Sequence, residues 1–324
     1  MKKFLSNFIV YIFYLSIVII GILFFYEKVI IISDDSFIDR KYFNLDEKDE
    51  IDLLIMGDSR AERQISPKII DSILGINSLN LAISSGDIIR IKKFISNNQS
   101  YFNQLKKNVD FKILISVSDW QVNDNAQKWG ILSHSTISLL SPIERLKYLN
   151  KKSDYIKFVV HGYKNFVHQK FRSLGLINLR EQFDSNGFLG VEGILTKESV
   201  DLMNLEIHPW YIDYKIDGWR FKLYVDVLRF LNDNFNEVIL LIPPTSEYWK
   251  IKTKNTNVQK VTKTYIDNLT KVILSENLKN IKVWDLYNYP PNEIDNSDFY
   301  DSEHLNVRGA KKLSSFISKK LDVN

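Results

Sequence analysis

The chain has no cysteine, and that absence removes disulfide frameworks, thiolate metal sites and cysteine nucleophiles together. It leaves the compartment open, because doing without disulfides is compatible with any redox environment. Proline (7) and glycine (12) are scarce in 324 residues, which excludes collagen-like and Pro/Gly-rich low-complexity classes. A surplus of either charge is also missing. Lys and Arg total 43 against 39 Asp and Glu, so the formal balance of +4 gives no reason to expect a nucleic-acid partner. Apolar residues are not in short supply: 45% hydrophobic with 25% charged is a globular composition and excludes wholesale disorder. The length allows one large domain or two smaller ones.

What the sequence does have is one long uncharged run. Residues 4–26 carry no charge, and positions 8–26 (FIVYIFYLSIVIIGILFFY) are almost wholly apolar. As a helix at ~1.5 Å per residue the run would be about 34 Å long, enough to cross a bilayer core. Tyr26-Glu27-Lys28 follows where a cleaved signal peptide would show small residues, so the segment reads as an uncleaved anchor over residues 1–28. Its apolar residues surround the helix, unlike the one-sided stripe of a surface helix. Lys2 and Lys3 precede it and Lys28 alone follows closely, which places the N-terminus inside and the remaining domain, 29–324, outside the cytoplasm.

Beyond the anchor, short apolar runs alternate with helical patterns. Strands are predicted at 52–56, 80–83, 111–117, 238–242 and 281–284, with Gly57 and Pro243-Pro244 as stops. Helices are predicted at 67–74, after Ser66 as N-cap and with Pro67 in the first position, at 88–105 and at 307–321. Continuous apolar strands separated by helices predict an α/β fold, a mostly parallel sheet covered on both faces in a three-layer α/β/α sandwich. The rhythm breaks at about 122–235, a Lys- and aromatic-rich stretch that reads as a mostly helical insertion or lid. In open parallel sheets ligands sit beyond the carboxyl ends of the strands, so the residues after each strand are the ones to inspect.

Three such places carry chemistry. Gly57-Asp58-Ser59-Arg60 puts a serine on a tight strand-to-helix turn, which exposes its hydroxyl and leaves first-turn N–H groups pointing outward. Gly86 closes the second strand, where a bare backbone N–H can approach a substrate oxygen. Asp301-Ser302-Glu303-His304 precedes the last helix, and a carboxylate three residues before an imidazole can fix its tautomer and stabilise the imidazolium. Serine, histidine and aspartate are what nucleophilic acyl transfer requires. Each piece alone has an ordinary reading: Gly-Asp-Ser is a common turn, and Asp301 and His304 could merely cap the last helix. Their order and context together argue for a site.

These blocks resemble the SGNH (GDSL-like) hydrolase superfamily, whose members carry Gly-Asp-Ser near the start and Asp-x-x-His near the end. The resemblance covers residues 53–59, 80–86 and 299–309; its most specific part is Phe299-Tyr300-Asp301-Ser302-Glu303-His304-Leu305-Asn306 with Gly309. The N-terminal span, Asn80-Leu81-Ala82 and Pro243-Pro244 are similar to the membrane-anchored branch that includes DltD-like D-alanylation and other surface-polysaccharide O-acylation proteins. The resemblance implies Ser59 as nucleophile, His304 as general base and Asp301 as its orienting acid. It also implies oxyanion donors from the N–H groups of Ser59 and Gly86. One block departs from the pattern. Where the superfamily has Gly-x-Asn-Asp, this chain has Ser116-Val117-Ser118-Asp119-Trp120-Gln121, so Ser118, Gln121 or Asn123 would have to stand in for the missing Asn. Losing one oxyanion donor costs about 10²–10³ in rate.

Asp58, Arg60 and Trp120 are the further candidates for substrate contact, Trp120 as a sugar-stacking ring. His134, His161, His168 and His208 fall in the insertion without the i, i+4 spacing of a helical zinc site, so neither metal nor cofactor is expected. The expected activity is that of an anchored, extracytoplasmic serine esterase or acyltransferase. Its substrate would be acetyl or D-alanyl esters of envelope polysaccharide, its natural partner a membrane-bound O-acyltransferase. The competing expectation is a non-catalytic, anchored glycan-binding or scaffold protein on the same fold. A soluble intracellular lipase-like enzyme conflicts with the N-terminal span.

Overall fold

The computed structural model describes residues 2–25, 50–84, 86, 88–123, 184, 186–203, 214–216 and 218–322. Chain contacts divide it into two units, 1–40 with 140–180, and 41–139 with 181–324. In the first unit the uncharged run forms α1 (Lys2–Phe25), whose consecutive side chains Tyr11, Ile12, Phe13 and Tyr14 are all exposed. Side chains are described along part of α1, and among the described residues no helix is long and apolar enough to cross a membrane.

The second unit is built on five parallel strands in the order β2-β1-β3-β4-β5: β1 (Leu53–Met56), β2 (Ser78–Asn80), β3 (Lys112–Ser116), β4 (Val238–Ile242) and β5 (Ile281–Asp285). β1, β3 and β4 are the inner strands, and in β1 and β4 every residue is buried, as expected for strands covered on both faces. Alternate residues serve opposite faces. Leu54, Met56, Ile113, Ile115 and Leu240 meet one apolar cluster; Leu53, Ile55, Leu114, Ile239 and Leu241 meet the other. Each such side chain taken from water stabilises the fold by about 1.5–3 kcal/mol before entropy is counted.

The helices are α2 (Ser59–Gln64), α3 (Pro67–Leu74), α4 (Ile88–Asn97), α5 (Gln99–Leu105), α6 (Lys197–Asp201), α7 (Trp219–Asn234), α8 (Glu247–Thr253), α9 (Asn257–Ser275) and α10 (Val307–Asp322). α4, α5 and α7 cover the first face, while α2, α3 and α10 cover the second. α9 reaches both, through Tyr265 and Leu269 on one and Val258 and Val261 on the other. Pro243-Pro244 ends β4 because proline cannot donate to the ladder.

Three sequence-based boundaries move. The helix predicted over 88–105 breaks at Asn98, whose side chain donates to the Phe94 carbonyl and whose backbone leaves helical geometry (φ −112°, ψ 33°). The second strand starts earlier than 80: β2 is Ser78–Asn80, though Leu81 and Ile83 still donate to the carbonyls of Ile55 and Gly57. Residues 219–234, read as the end of the insertion, form α7 and belong to the sheet's cover. The cause is their helical spacing of Tyr224, Val227, Leu228 and Leu231, all buried against the sheet. Residues 124–183, most of the predicted insertion, lie outside the described residues, as do His134, His161, His168 and His208.

Candidate active site

The site begins at the carboxyl end of β1. Gly57 has φ +128°, a conformation L side chains rarely adopt, and a Cβ there would lie 2.7 Å from the Ser116 carbonyl. The chain turns at once into α2, with Asp58 as N-cap accepting the Arg60 N–H at 3.0 Å. Ser59 is therefore the first residue of the helix, its N–H one of the first-turn donors that a helix leaves without an intrahelical partner. The far end of α2 is pinned by Asn80, buried on β2. Its amide donates to the carbonyls of Ala61 (2.8 Å) and Ile65 (2.9 Å), and its oxygen accepts the Ala82 N–H (2.9 Å).

The other half comes from the loop before α10. Phe299 and Leu305 form an antiparallel bridge, and the Tyr300 N–H donates to the His304 carbonyl at 2.8 Å, so residues 299–305 make a closed turn. Within it the Asp301 carboxylate accepts the backbone N–H groups of Glu303 (2.9 Å) and His304 (2.8 Å). The same carboxylate lies 2.9 and 3.0 Å from Nδ1 of His304. Desolvation alone would push the Asp301 carboxyl up; the hydrogen bonds and charge of His304, with the two backbone donors, outweigh it and hold the group below its ordinary value. The helix cap is supplied instead by Asn306, whose side-chain oxygen accepts the Gly309 N–H at 3.0 Å. Gly309 is required by packing, since a Cβ would lie 2.3 Å from the Asp298 carbonyl.

The two halves meet. Oγ of Ser59 lies 2.7 Å from Nε2 of His304, across 245 positions of sequence. Gln64, on the last turn of α2, donates to the Glu303 carbonyl at 2.6 Å and ties the nucleophile helix to the histidine loop. Ser59, His304 and Asp301 thus form a continuous chain of hydrogen-bonding groups in the order an acyl-transfer triad needs.

The remaining sequence-based candidates lie differently. Asp58 and Ser118 are buried and bonded to each other. Asp58 also accepts from Ser116 (3.2 Å), and the Arg60 guanidinium both donates to the Ser118 hydroxyl and pairs with Asp58 at 3.7 Å. This network locks the Gly-Asp-Ser turn onto the end of β3. The Gln121 amide donates to the Gly86 carbonyl at 3.3 Å, and the Asn123 side-chain oxygen accepts the Lys215 N–H at 3.1 Å. The Gly86 N–H donates to the Ile83 carbonyl at 2.8 Å, and a Cβ at Gly86 would lie 2.3 Å from the Gly57 carbonyl. Gly86 therefore serves close packing of the two strand ends, with its N–H engaged in a turn. Trp120 is buried, 6% exposed, in the short 3₁₀ turn Asp119–Val122.

Sequence reasoning passed over Gln64, Asn80 as a pin, and Glu303. Only Glu303 carried a signal, as the residue beside the predicted base; the other two depend on partners supplied by distant segments. Among the described residues no cluster of His, Asp and Glu could hold a metal ion.

No protein-family model matches the chain, and no curated protein matches it. Among solved structures it is similar to one from Streptococcus pneumonia assigned as a platelet activating factor. That likeness has 12% identity and a TM-score of 0.38, and it covers 93% of this chain and 98% of that one. It is also similar to one from Bacteroides fragilis NCTC 9343 assigned as an acylhydrolase. There the identity is 12% and the TM-score 0.41, over 88% of this chain and 95% of that one. At these values neither likeness assigns a family or an activity.

Proposed function

We propose that the protein is a serine esterase or acyltransferase of SGNH type. The observation that carries this reading is the contiguous Ser59–His304–Asp301 chain, with 2.7 Å between Oγ and Nε2 and 2.9 Å between Nδ1 and the carboxylate. Ser59 attacks an acyl ester while His304 takes its proton. Asp301, held ionised, stabilises the imidazolium that forms. Negative charge developing on the carbonyl oxygen falls near the Ser59 N–H. Collapse of the tetrahedral intermediate returns the proton to the leaving alcohol and leaves an acyl-enzyme, which water or a sugar hydroxyl then resolves.

The proposal extends to placement and substrate. The uncharged run at residues 4–26 supports an N-terminal anchor with the catalytic unit outside the cytoplasm. The resemblance of the sequence blocks supports acetyl or D-alanyl esters of envelope polysaccharide as substrates and a membrane-bound O-acyltransferase as partner. Labelling of the full chain with a fluorophosphonate is the test. Wild type should react and Ser59→Ala should not; equal labelling of the two removes the mechanism.

One observation favours the scaffold reading. Of the oxyanion donors expected from sequence, Gly86 and Ser118 are engaged elsewhere, which leaves the Ser59 N–H as the first donor in place. If Ser59→Ala and His304→Ala both preserve the cellular phenotype while removal of residues 1–28 abolishes it, the scaffold reading stands and the esterase reading falls.

A further inference from the structure

Directly behind the histidine loop lies a small polar cavity of about 20 Å³, enough for one water. Arg60 of α2, Asp119 of the 3₁₀ turn, Thr245 after β4, Thr262 of α9 and Glu303 of the histidine loop line it. Thr245 is buried, 6% exposed, and its hydroxyl has no hydrogen-bond partner among the described residues, so it is a ready donor to a water there. Among the described lining residues the guanidinium of Arg60 is the one cation, and it is already paired with Asp58. Two carboxyl groups, Asp119 and Glu303, therefore share the cavity with one guanidinium that Asp58 already engages, and a site of this kind retains a proton that isolated carboxylates would release.

We propose that Glu303 is a positioning residue for His304: its carboxyl, exchanging a proton across this cavity with the Asp119 side, sets how strongly the neighbouring imidazolium is stabilised. This rests on the triad reading of Ser59, His304 and Asp301. Glu303 is fixed from both ends, its carbonyl by Gln64 and its chain neighbour by the bonds of His304 to Ser59 and Asp301. Desolvation pushes its carboxyl up to about 7, opposed by the charges of Arg60 and His304 and assisted by those of Asp119 and Asp301. Desolvation likewise raises Asp119, opposed by its hydrogen bond from Thr262 and by Arg60. The other groups facing the cavity are the phenols of Tyr265 on α9 and Tyr287 after β5, both pushed up by burial and so neutral throughout this range. Below neutrality Glu303 is uncharged and His304 has Asp301 alone behind it; above neutrality a second carboxylate stands beside it and favours the imidazolium of the transition state.

The test follows the His304 ring signal by NMR in the full chain from about pH 5 to about pH 9, the range in which histidine titrates. The signal is identified by its loss in His304→Asn, and fluorophosphonate labelling is measured in parallel. In wild type the ring signal should carry an inflection contributed by the Glu303 carboxyl, and Glu303→Gln should lack it. Asp119→Asn should keep that inflection and move it to lower pH, because the Asp119 charge raises the Glu303 carboxyl. Superimposable curves for wild type and Glu303→Gln overturn the proposal. Should Glu303→Gln fail to fold, an Asp119→Asn curve unchanged from wild type overturns it as well. The Glu303-dependent inflection in a protein that no fluorophosphonate labels would leave the coupling standing and remove the esterase reading alone.

Discussion

Two loops leave the carboxyl side of the sheet with nearly the same chemical equipment, and they use it in opposite ways. The loop before α10 offers Asp301, Ser302, Glu303, His304 and Asn306; the stretch ending β3 offers Ser116, Ser118, Asp119, Gln121 and Asn123. In the first, the antiparallel closure of Phe299 on Leu305 turns a carboxylate and a ring toward each other and the ring toward Ser59. In the second, the polar groups face inward, to Asp58, Thr262, Gly86 and Lys215. Residue type sets what a side chain can do; the partner delivered by the rest of the chain decides whether it does it.

That contrast gives way first, and hardest, at the triad. His304→Ala should lower ester turnover by about 10⁶ and Asp301→Asn by about 10⁴, measured as hydrolysis of p-nitrophenyl acetate with folding checked by circular dichroism. Losses below tenfold for both would put the two loops on the same footing. Gly309→Ala should cost about 1–3 kcal/mol of stability, read from urea denaturation, because its Cβ would press on the Asp298 carbonyl that closes the loop.

Ser118→Ala probes the same contrast from the other side. As an oxyanion donor Ser118 would carry about 10²–10³ in rate. As a buried link between Asp58 and Arg60 it should instead change turnover less than tenfold and cost about 1–3 kcal/mol of stability. A hundredfold kinetic loss with unchanged denaturation would return Ser118 to the oxyanion hole. The smallest effect concerns acid. Asp301 is held below its ordinary value of 3.8 in the folded chain, so its contribution is present above that pH and is lost as pH falls through the folded value. The melting-temperature gap between wild type and Asp301→Asn should therefore narrow below about pH 4; a gap that widens in acid would mean the carboxyl is not held ionised by His304.

Much of this was legible from sequence because it depends on local pattern. The inner strands were visible as continuous apolar runs, since a strand covered on both faces has no solvated side for polar residues. Pro67 and Gly57 marked their turns through their own backbone limits. The Asp301–His304 pair was readable because three residues of separation suffice to bring a carboxylate to a ring within one turn. Asn98 as a helix break was not, since asparagine within an amphipathic pattern ends a helix only when its side chain finds a carbonyl. The roles of Asn80 and Gln64 were equally hidden, because each depends on carbonyls from other segments.

Residue order alone was therefore enough for the parallel sheet, the stops at the strand ends and the chemical identity of the candidate nucleophile, base and acid. It took the folded chain to decide that Ser59 and His304 meet, that α7 covers the sheet, that the Gly86 N–H bonds the Ile83 carbonyl and that Ser118 links Asp58 to Arg60. The physical reason is range: backbone preference and hydrophobic period act within a few residues of themselves, whereas a hydrogen bond is chosen among whatever groups folding brings within about 3 Å.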